Sequence, residues 1–305
     1  MLALVMSGAA NYGSMQAGAL EILFDAGFRP EMVVGTSAGA LNAIYMAMNP
    51  SPEGVLRLQD IWRATSQKEV GTPTPIGVMR RLVRRRESLV TNDPLAAFLN
   101  ANLPEGLATF EQLKAHAGIL AYAVAVCVET GDLRVFGDHA TDRLEDGAMA
   151  STAVPPYFPP WEVGAYRYLD GGVYTKLPMR VAIERGATQI LALDVTHLMG
   201  SKETAQGILG LSAYAVSLML EAQVAREIAW SKATRASVRV IRLNAPVDIA
   251  FWDYTQAERL IHIGREIATE QLKADPIRFS PQSLIRIRRR LMNLVLKVDQ
   301  LYPFR

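Results

Sequence analysis

An α/β fold with a central, mostly parallel sheet is what this sequence predicts, and three observations carry the prediction. Two short apolar runs, 2–6 and 32–34, each lead into a glycine-containing turn and then a stretch of helical composition. Runs without polar alternation suit strands buried on both faces, as in a parallel sheet covered by helices. The second run enters Gly35-Thr36-Ser37-Ala38-Gly39-Ala40, a Gly-x-Ser-x-Gly turn between strand and helix. Such a turn holds its serine in a strained backbone with the hydroxyl lifted clear of the sheet edge. Finally, 305 residues at 50% hydrophobic and 20% charged suffice for one large core or two small ones.

The first apolar run enters the loop Ser7-Gly8-Ala9-Ala10-Asn11-Tyr12-Gly13. A helix follows over 14–26, with Ala17, Leu20, Ile22 and Leu23 at helical spacing and Gly27 as its stop. The serine turn comes next, and its helix runs from Ala38 through Met48 without a breaker after Gly39. This βαβα opening argues for parallel strands. Residues 52–65 read as an amphipathic helix with Val55, Leu58, Ile61 and Trp62. Thr72-Pro73-Thr74-Pro75 breaks the chain. A short basic helix is expected over 76–86, with Val78, Met79, Leu82 and Val83 on one side, and Asn92-Asp93-Pro94 opens another. Residues 52–117 thus form a mostly helical insertion, the place for a lid or a substrate wall.

Strands over 119–128 and 133–136 flank Glu129-Thr130-Gly131-Asp132, a hairpin signal. A short helix of small residues spans 145–153. The run Pro155-Pro156-Tyr157-Phe158-Pro159-Pro160 is a rigid connector. A strand over 166–169 ends in Asp170-Gly171-Gly172. Then come a helix over 178–185, a buried strand over 189–195, a long apolar helix over 204–232, a last strand over 238–243 and an amphipathic helix over 255–273.

Charge is uneven beneath a net of +2. Arg80, Arg81, Arg84, Arg85 and Arg86 face only Glu87 within 77–90. Residues 276–298 carry Arg278, Arg286, Arg288, Arg289, Arg290 and Lys297 with no acid. A mildly acidic body with two basic segments suits an anionic membrane surface better than a nucleic-acid groove, and each segment alone also reads as a solvated helix face. Leu284, Ile287, Leu291, Leu294, Val298 and Leu301 step by three and four, the seam of an amphipathic helix in a separate segment, 276–305. Docking on the domain (1–275), a homodimer and a membrane surface are its three readings. One cysteine, Cys127, excludes a disulfide framework and a cysteine-built metal site. The uncharged N-terminus lacks the basic region of a signal peptide, and Leu2–Met6 reads as the first core strand of a cytoplasmic protein.

Three features converge on chemistry. Ser37 is a candidate nucleophile, and the glycine-rich loop Gly8–Gly13 a candidate nest of N–H donors. Asp170, at a strand end, is a candidate base. In a parallel sheet, strand ends and the loops after them share one edge, so all three can meet. Other chemistries fit less well. Ser14 follows Gly13 where a phosphate-binding loop needs lysine, and Ala10 breaks Gly-x-Gly-x-x-Gly. No metal-ligand spacing appears among His116, His139, His197 and His262, and no metal or cofactor is expected. An α/β-hydrolase triad would take its histidine from His197 or His262, but that fold places several strands ahead of the serine.

The glycine-rich first loop, Gly35-Thr36-Ser37-Ala38-Gly39, and Asp170-Gly171-Gly172 far downstream together resemble the patatin-like phospholipase family. Ala150-Ser151-Thr152-Ala153-Val154-Pro155 and the prolines after it are similar to the stretch that precedes the family's aspartate strand. The resemblance covers about 1–275 and implies a three-layer α/β/α fold. It also implies a serine acyl hydrolase acting on lipid esters, of phospholipase A or lysophospholipase type, through a Ser37–Asp170 dyad without histidine. Gly8, Ala9, Ala10 and Gly13 would form the oxyanion hole, with Gly35, Gly39, Gly171 and Gly172 shaping the motifs. The family's first loop is Gly-Gly-Gly-x-Arg/Lys-Gly. Here alanines replace two of its glycines, and Tyr12 stands in place of the cation. A short-chain esterase or thioesterase, and a non-catalytic lipid-binding protein on the same fold, are the alternatives.

Overall fold

The structure is a computed structural model that describes residues 1–71, 73–196, 206–246 and 249–276. In chain order the elements are β1 (Leu2–Met6), α1 (Gly13–Asp25), β2 (Met32–Thr36), α2 (Ala38–Met48), α3 (Pro52–Ala64), α4 (Gln67–Val70), α5 (Pro75–Val83), α6 (Asp93–Asn102) and α7 (Phe110–Ala117). They continue with β3 (Leu120–Cys127), β4 (Leu133–Phe136), α8 (Leu144–Thr152), β5 (Trp161–Val163) and β6 (Tyr166–Asp170). The last are α9 (Met179–Glu184), β7 (Gln189–Thr196), α10 (Gly207–Ala233), β8 (Ser237–Asn244) and α11 (Ala257–Ala274).

The strands form one eight-stranded sheet in the order β5-β6-β3-β2-β1-β7-β8, with β4 pairing β3. β3, β2, β1, β7 and β8 are parallel, β4 and β6 run antiparallel to β3, and β5 pairs antiparallel with β6. The expectation of a mixed, mostly parallel α/β sheet holds. β1 lies between β2 and β7 and is buried on both faces, which is why it reads as an unbroken apolar run. Ala3 and Val5 join Met32, Val34, Val124 and the α9 residues Met179 and Val181 in the core of one face. Leu4, Met6 and Val33 are equally buried on the other face, where α1, α2 and α8 pack.

Register decides which strand ends meet. β3 pairs with β2 as far as Thr36↔Val124, and with β6 from Asp170↔Ala125 onward. The partners are consecutive residues of β3, whose other edge is taken by β4. The ends of β2 and β6 therefore abut, one running toward the other. The Thr36 hydroxyl ties the junction by donating to the Thr175 carbonyl at 3.0 Å.

The insertion between α2 and β3 is helical as expected, with its helices started by local caps. Ser51 accepts from Gly54 N–H at 3.1 Å with Pro52 at the first position of α3, and Thr109 and Gln112 form a capping box on α7. Three details depart from the sequence reading. Trp161–Val163 is a strand that pairs with β6, hidden from the sequence by the prolines before it. Met79, Leu82 and Val83 of α5 are exposed, and no α5 residue is buried. α10 leaves Ile208, Leu211, Val216, Leu218 and Met219 exposed, because only one stripe of it meets the neighbouring elements. One compact unit spans Met1–Thr269, and of the second, Glu270–Arg305, residues 270–276 are described. The heptad seam of the expected C-terminal helix and Arg286, Arg288, Arg289 and Arg290 lie outside the described residues.

Candidate active site

Ser37 sits at the junction of β2 and α2 with φ 54° and ψ −127°, a conformation that few non-glycine residues adopt. The turn is possible because Gly35 and Gly39 lack side chains. A Cβ on Gly35 would lie 2.1 Å from the Gly39 carbonyl oxygen, and one on Gly39 would lie 2.4 Å from the Met6 oxygen. β1, β2 and α2 thus converge more closely than alanine allows. The Ser37 N–H donates to the Ser151 hydroxyl of α8 at 2.9 Å, which fixes the elbow from the opposite side.

Asp170 ends β6, is 4% exposed, and has the Ser37 side chain beside it. Its Oδ1 also accepts the Gly172 N–H at 2.7 Å. Burial pushes the carboxyl up to about 6, against the opposing pull of the Ser37 side chain and the Gly172 N–H. The pair is a hydroxyl in contact with a carboxylate of raised basicity, still largely ionised at neutral pH. None of His116, His139 or His262 lines the pocket at this site, and His197 lies outside the described residues. Among the described residues no group of three or more His, Cys, Asp or Glu could hold a metal ion.

The first loop packs against Ser37. A Cβ on Gly8 would come within 3.3 Å of the Ser37 Cβ, and Ala10 lines the same pocket as Ser37. The four expected donors are not equal. Gly8 N–H donates to the Lys176 carbonyl at 3.0 Å, and Gly13 N–H is taken by the Ala10 and Asn11 carbonyls of the 3₁₀ turn Ala10–Tyr12. The N–H groups of Ala9 and Ala10 have no acceptor among the described residues. Ala10 has φ 47°, the left-handed region where glycine is cheaper. The Tyr12 ring is buried, and its hydroxyl donates to the Ile249 carbonyl, so it anchors the loop rather than supplying charge.

Buried polar groups that the sequence did not single out hold this loop in place. Gln16 Nε2 donates to the Ser7 carbonyl at 2.9 Å. Asn42 Nδ2 donates to Gln16 Oε1 at 2.8 Å and to the Gly13 carbonyl at 2.9 Å, and Trp62 Nε1 donates to Asn42 Oδ1 at 2.9 Å. The partners come from α1, α2 and α3, far apart in sequence, and no local pattern marks them.

An apolar pocket opens beside Ser37. The helical insertion contributes Leu58, Trp62, Leu95 and Leu99, as expected, and the proline-rich connector adds Tyr157 and Phe158. Phe251, Trp252 and Tyr254 complete the wall without any motif to announce them. Burial raises the pKa of the Tyr254 hydroxyl, so it stays protonated throughout the working pH range.

Fold and site together define an α/β protein with an elbow serine against a buried carboxylate and an apolar pocket. The family model for patatin-like phospholipases matches residues 4–183, more than half of the sequence, and the chain belongs to that family. Membership implies a lipid acyl hydrolase. No curated protein matches the chain. Among solved structures, VipD from Legionella pneumophila is similar over 89% of this chain and 66% of its own, at 12% identity and a TM-score of 0.45. The type III effector protein ExoU is similar over 89% of this chain and 52% of its own, at 17% identity and a TM-score of 0.42. ExoU in its heterodimeric complex with SpcU, from Pseudomonas aeruginosa, gives 90%, 51%, 16% and 0.38. The chain therefore spans about two thirds of VipD and about half of ExoU. Among the described residues no helix is long and apolar enough to cross a membrane.

Proposed function

We propose that the protein hydrolyses carboxylic esters of lipids, as a phospholipase A or lysophospholipase, with Ser37 as nucleophile and Asp170 as its base. The observation that carries this reading is the elbow serine set beside a buried carboxyl pushed up to about 6. Ser37 Oγ attacks the ester carbonyl as Asp170 takes its proton. The oxyanion lies against Ala9 and Ala10 N–H and the N-terminus of α2, which favour negative charge there. Collapse expels the alcohol, with the proton returned from Asp170, and leaves an acyl group on Ser37. Asp170 then activates water, which releases the fatty acid and regenerates the hydroxyl. The acyl chain occupies the apolar pocket, excludes water and strengthens both the carboxylate's basicity and the oxyanion contacts. Arg80, Arg84, Arg85 and Arg86 bring the protein to an anionic bilayer, where such substrates reside.

Fluorophosphonate labelling with mass spectrometry is the test. The adduct is expected on Ser37, absent from Ser37→Ala and much reduced in Asp170→Asn. Failure of the wild type to label, beside a serine hydrolase that does, would overturn the catalytic reading in favour of lipid binding. A chain-length series separates the lipase from a short-chain esterase or thioesterase. Activity that rises with acyl length to long chains supports the former, and a peak at acetyl or butyryl esters the latter.

A further inference from the structure

We infer that α5 is a membrane-docking element that inserts an apolar stripe between anionic headgroups, beside the pocket mouth. The inference rests on the reading that the substrate is a lipid, and adds the surface through which it is reached. Ile76, Met79, Leu82 and Val83 are 84%, 62%, 62% and 76% exposed. At one residue per 100°, they fill one side of the helix. Arg80 and Arg84 flank that side one turn apart, and Arg85 and Arg86 follow at once. An exposed aliphatic stripe bordered by arginines is unfavourable in water, and it matches the boundary between acyl chains and anionic headgroups.

The charge on this segment is uncompensated. Arg80, Arg84, Arg85 and Arg86 form no ion pair with a carboxylate among the described residues, and Glu87 is already paired with Arg167 at 3.1 Å. Arg81 is turned inward instead. Its Nε and Nη2 donate to the Ser88 carbonyl and hydroxyl at 2.6 and 2.7 Å, so it braces the segment while its neighbours face outward. Each outward cation is attracted to an anionic bilayer, and the aliphatic side chains add burial. Charge complementarity together with exposed aliphatic groups selects an anionic bilayer over a protein groove.

The position of α5 gives docking its purpose. The chain leaves the pocket lining after Val70, and one connector strip holds Gly71 and Leu89–Val90, the two ends of the excursion that carries α5. The Tyr157 hydroxyl donates to the Gly71 carbonyl at 2.5 Å, Val90 N–H donates to the Tyr157 carbonyl at 3.1 Å, and Leu89 N–H donates to the Pro156 carbonyl at 2.9 Å. Val70 and Tyr157 line the pocket beside Ser37. The basic excursion is therefore stapled to the wall along which an acyl chain would enter.

Vesicle flotation tests the inference. The proteins are the wild type, Ser37→Ala, Met79→Glu/Val83→Glu and Arg80→Ala/Arg84→Ala. The vesicles are phosphatidylcholine alone, or with about a third phosphatidylglycerol, at low and high salt. Hydrolysis of a monomeric soluble ester is measured in parallel, and circular dichroism checks each fold. Wild type and Ser37→Ala are expected to float with the anionic vesicles and not the neutral ones, less at high salt. Each double variant should lose about tenfold or more in partitioning while keeping its fold and its rate on the soluble ester. Wild type that floats with neither vesicle, or a Met79→Glu/Val83→Glu protein that floats like wild type, overturns the inference. Vesicle binding by a protein that hydrolyses no ester leaves docking standing and removes the catalytic reading. Hydrolysis with no α5-dependent binding does the reverse.

Discussion

At the residue scale the site turns on Asp170, whose surroundings set both its basicity and its cost to folding. In the proposed mechanism only the ionised form accepts the Ser37 proton, so kcat/KM on a short soluble ester should fall as pH drops below about 6, with a single ionisation in that limb. Asp170→Asn removes the limb and lowers the rate by about 10²- to 10⁴-fold, the usual weight of a general base. The same shift acts on stability with a definite sign. The folded state raises this carboxyl from 3.8 to about 6, so its contribution is fully present below 3.8 and lost as pH rises through about 6. Denaturant titration of Asp170→Asn at pH 8 should show a gain of roughly 2 kcal/mol. Function is thus held at some expense to the fold. Ala10 makes the converse case. With φ 47° it sits where glycine is comfortable, so Ala10→Gly should leave stability within about 1 kcal/mol and keep the donor geometry, measured by thermal melt and fluorophosphonate labelling rate.

Elements matter here through what joins them. α1, α2 and α3 are tied by the Gln16–Asn42–Trp62 chain, which also holds Ser7 and Gly13 at the two ends of the first loop. Asn42 is the hub, fully buried, and both ends of its amide are used. Asn42→Leu leaves the Trp62 N–H and the Gln16 Oε1 without these partners, and should cost about 2–4 kcal/mol in denaturant titration, with labelling of Ser37 slowed. The elbow itself was legible because its requirement is local. A serine between glycines at a strand-to-helix turn needs Gly35 and Gly39 to let backbones touch, and the sequence displays both. The network was not legible, since each of its residues reads alone as an ordinary polar position on a helix. The first loop fell between the two. Its place and its N–H donors could be read in advance, but the loss of Gly8 and Gly13 to carbonyls and the anchoring of Tyr12 on Ile249 depend on segments remote in the chain.

For the molecule as a whole, the layer that holds the candidate site and the proposed lipid-facing segment separate. The sheet and its flanking helices bury the large side chains, while α5 buries none. Replacing residues 73–87 with a short Gly-Ser linker should shift the melting temperature by less than about 4 °C. It should abolish flotation with anionic vesicles and spare hydrolysis of the soluble ester.

The sequence alone determined the α/β class, the parallel strands at the start of the chain, the helical insertion, Ser37 at its turn and Asp170 at a strand end. Each of these rests on short-range physics: apolar runs, turn chemistry, or breakers that act within a few residues. The tertiary structure alone decided that Ser37 meets Asp170, through the consecutive β3 partners Val124 and Ala125. It also decided that Ala9 and Ala10, rather than Gly8 and Gly13, keep open donors, and that residues 251–254 close the pocket. The exposure of α5 belongs with these, because its stripe of Ile76, Met79, Leu82 and Val83 has the spacing of a core-facing helix. Register, burial and the partner of a given N–H are set by segments distant in the chain, and no local pattern records them.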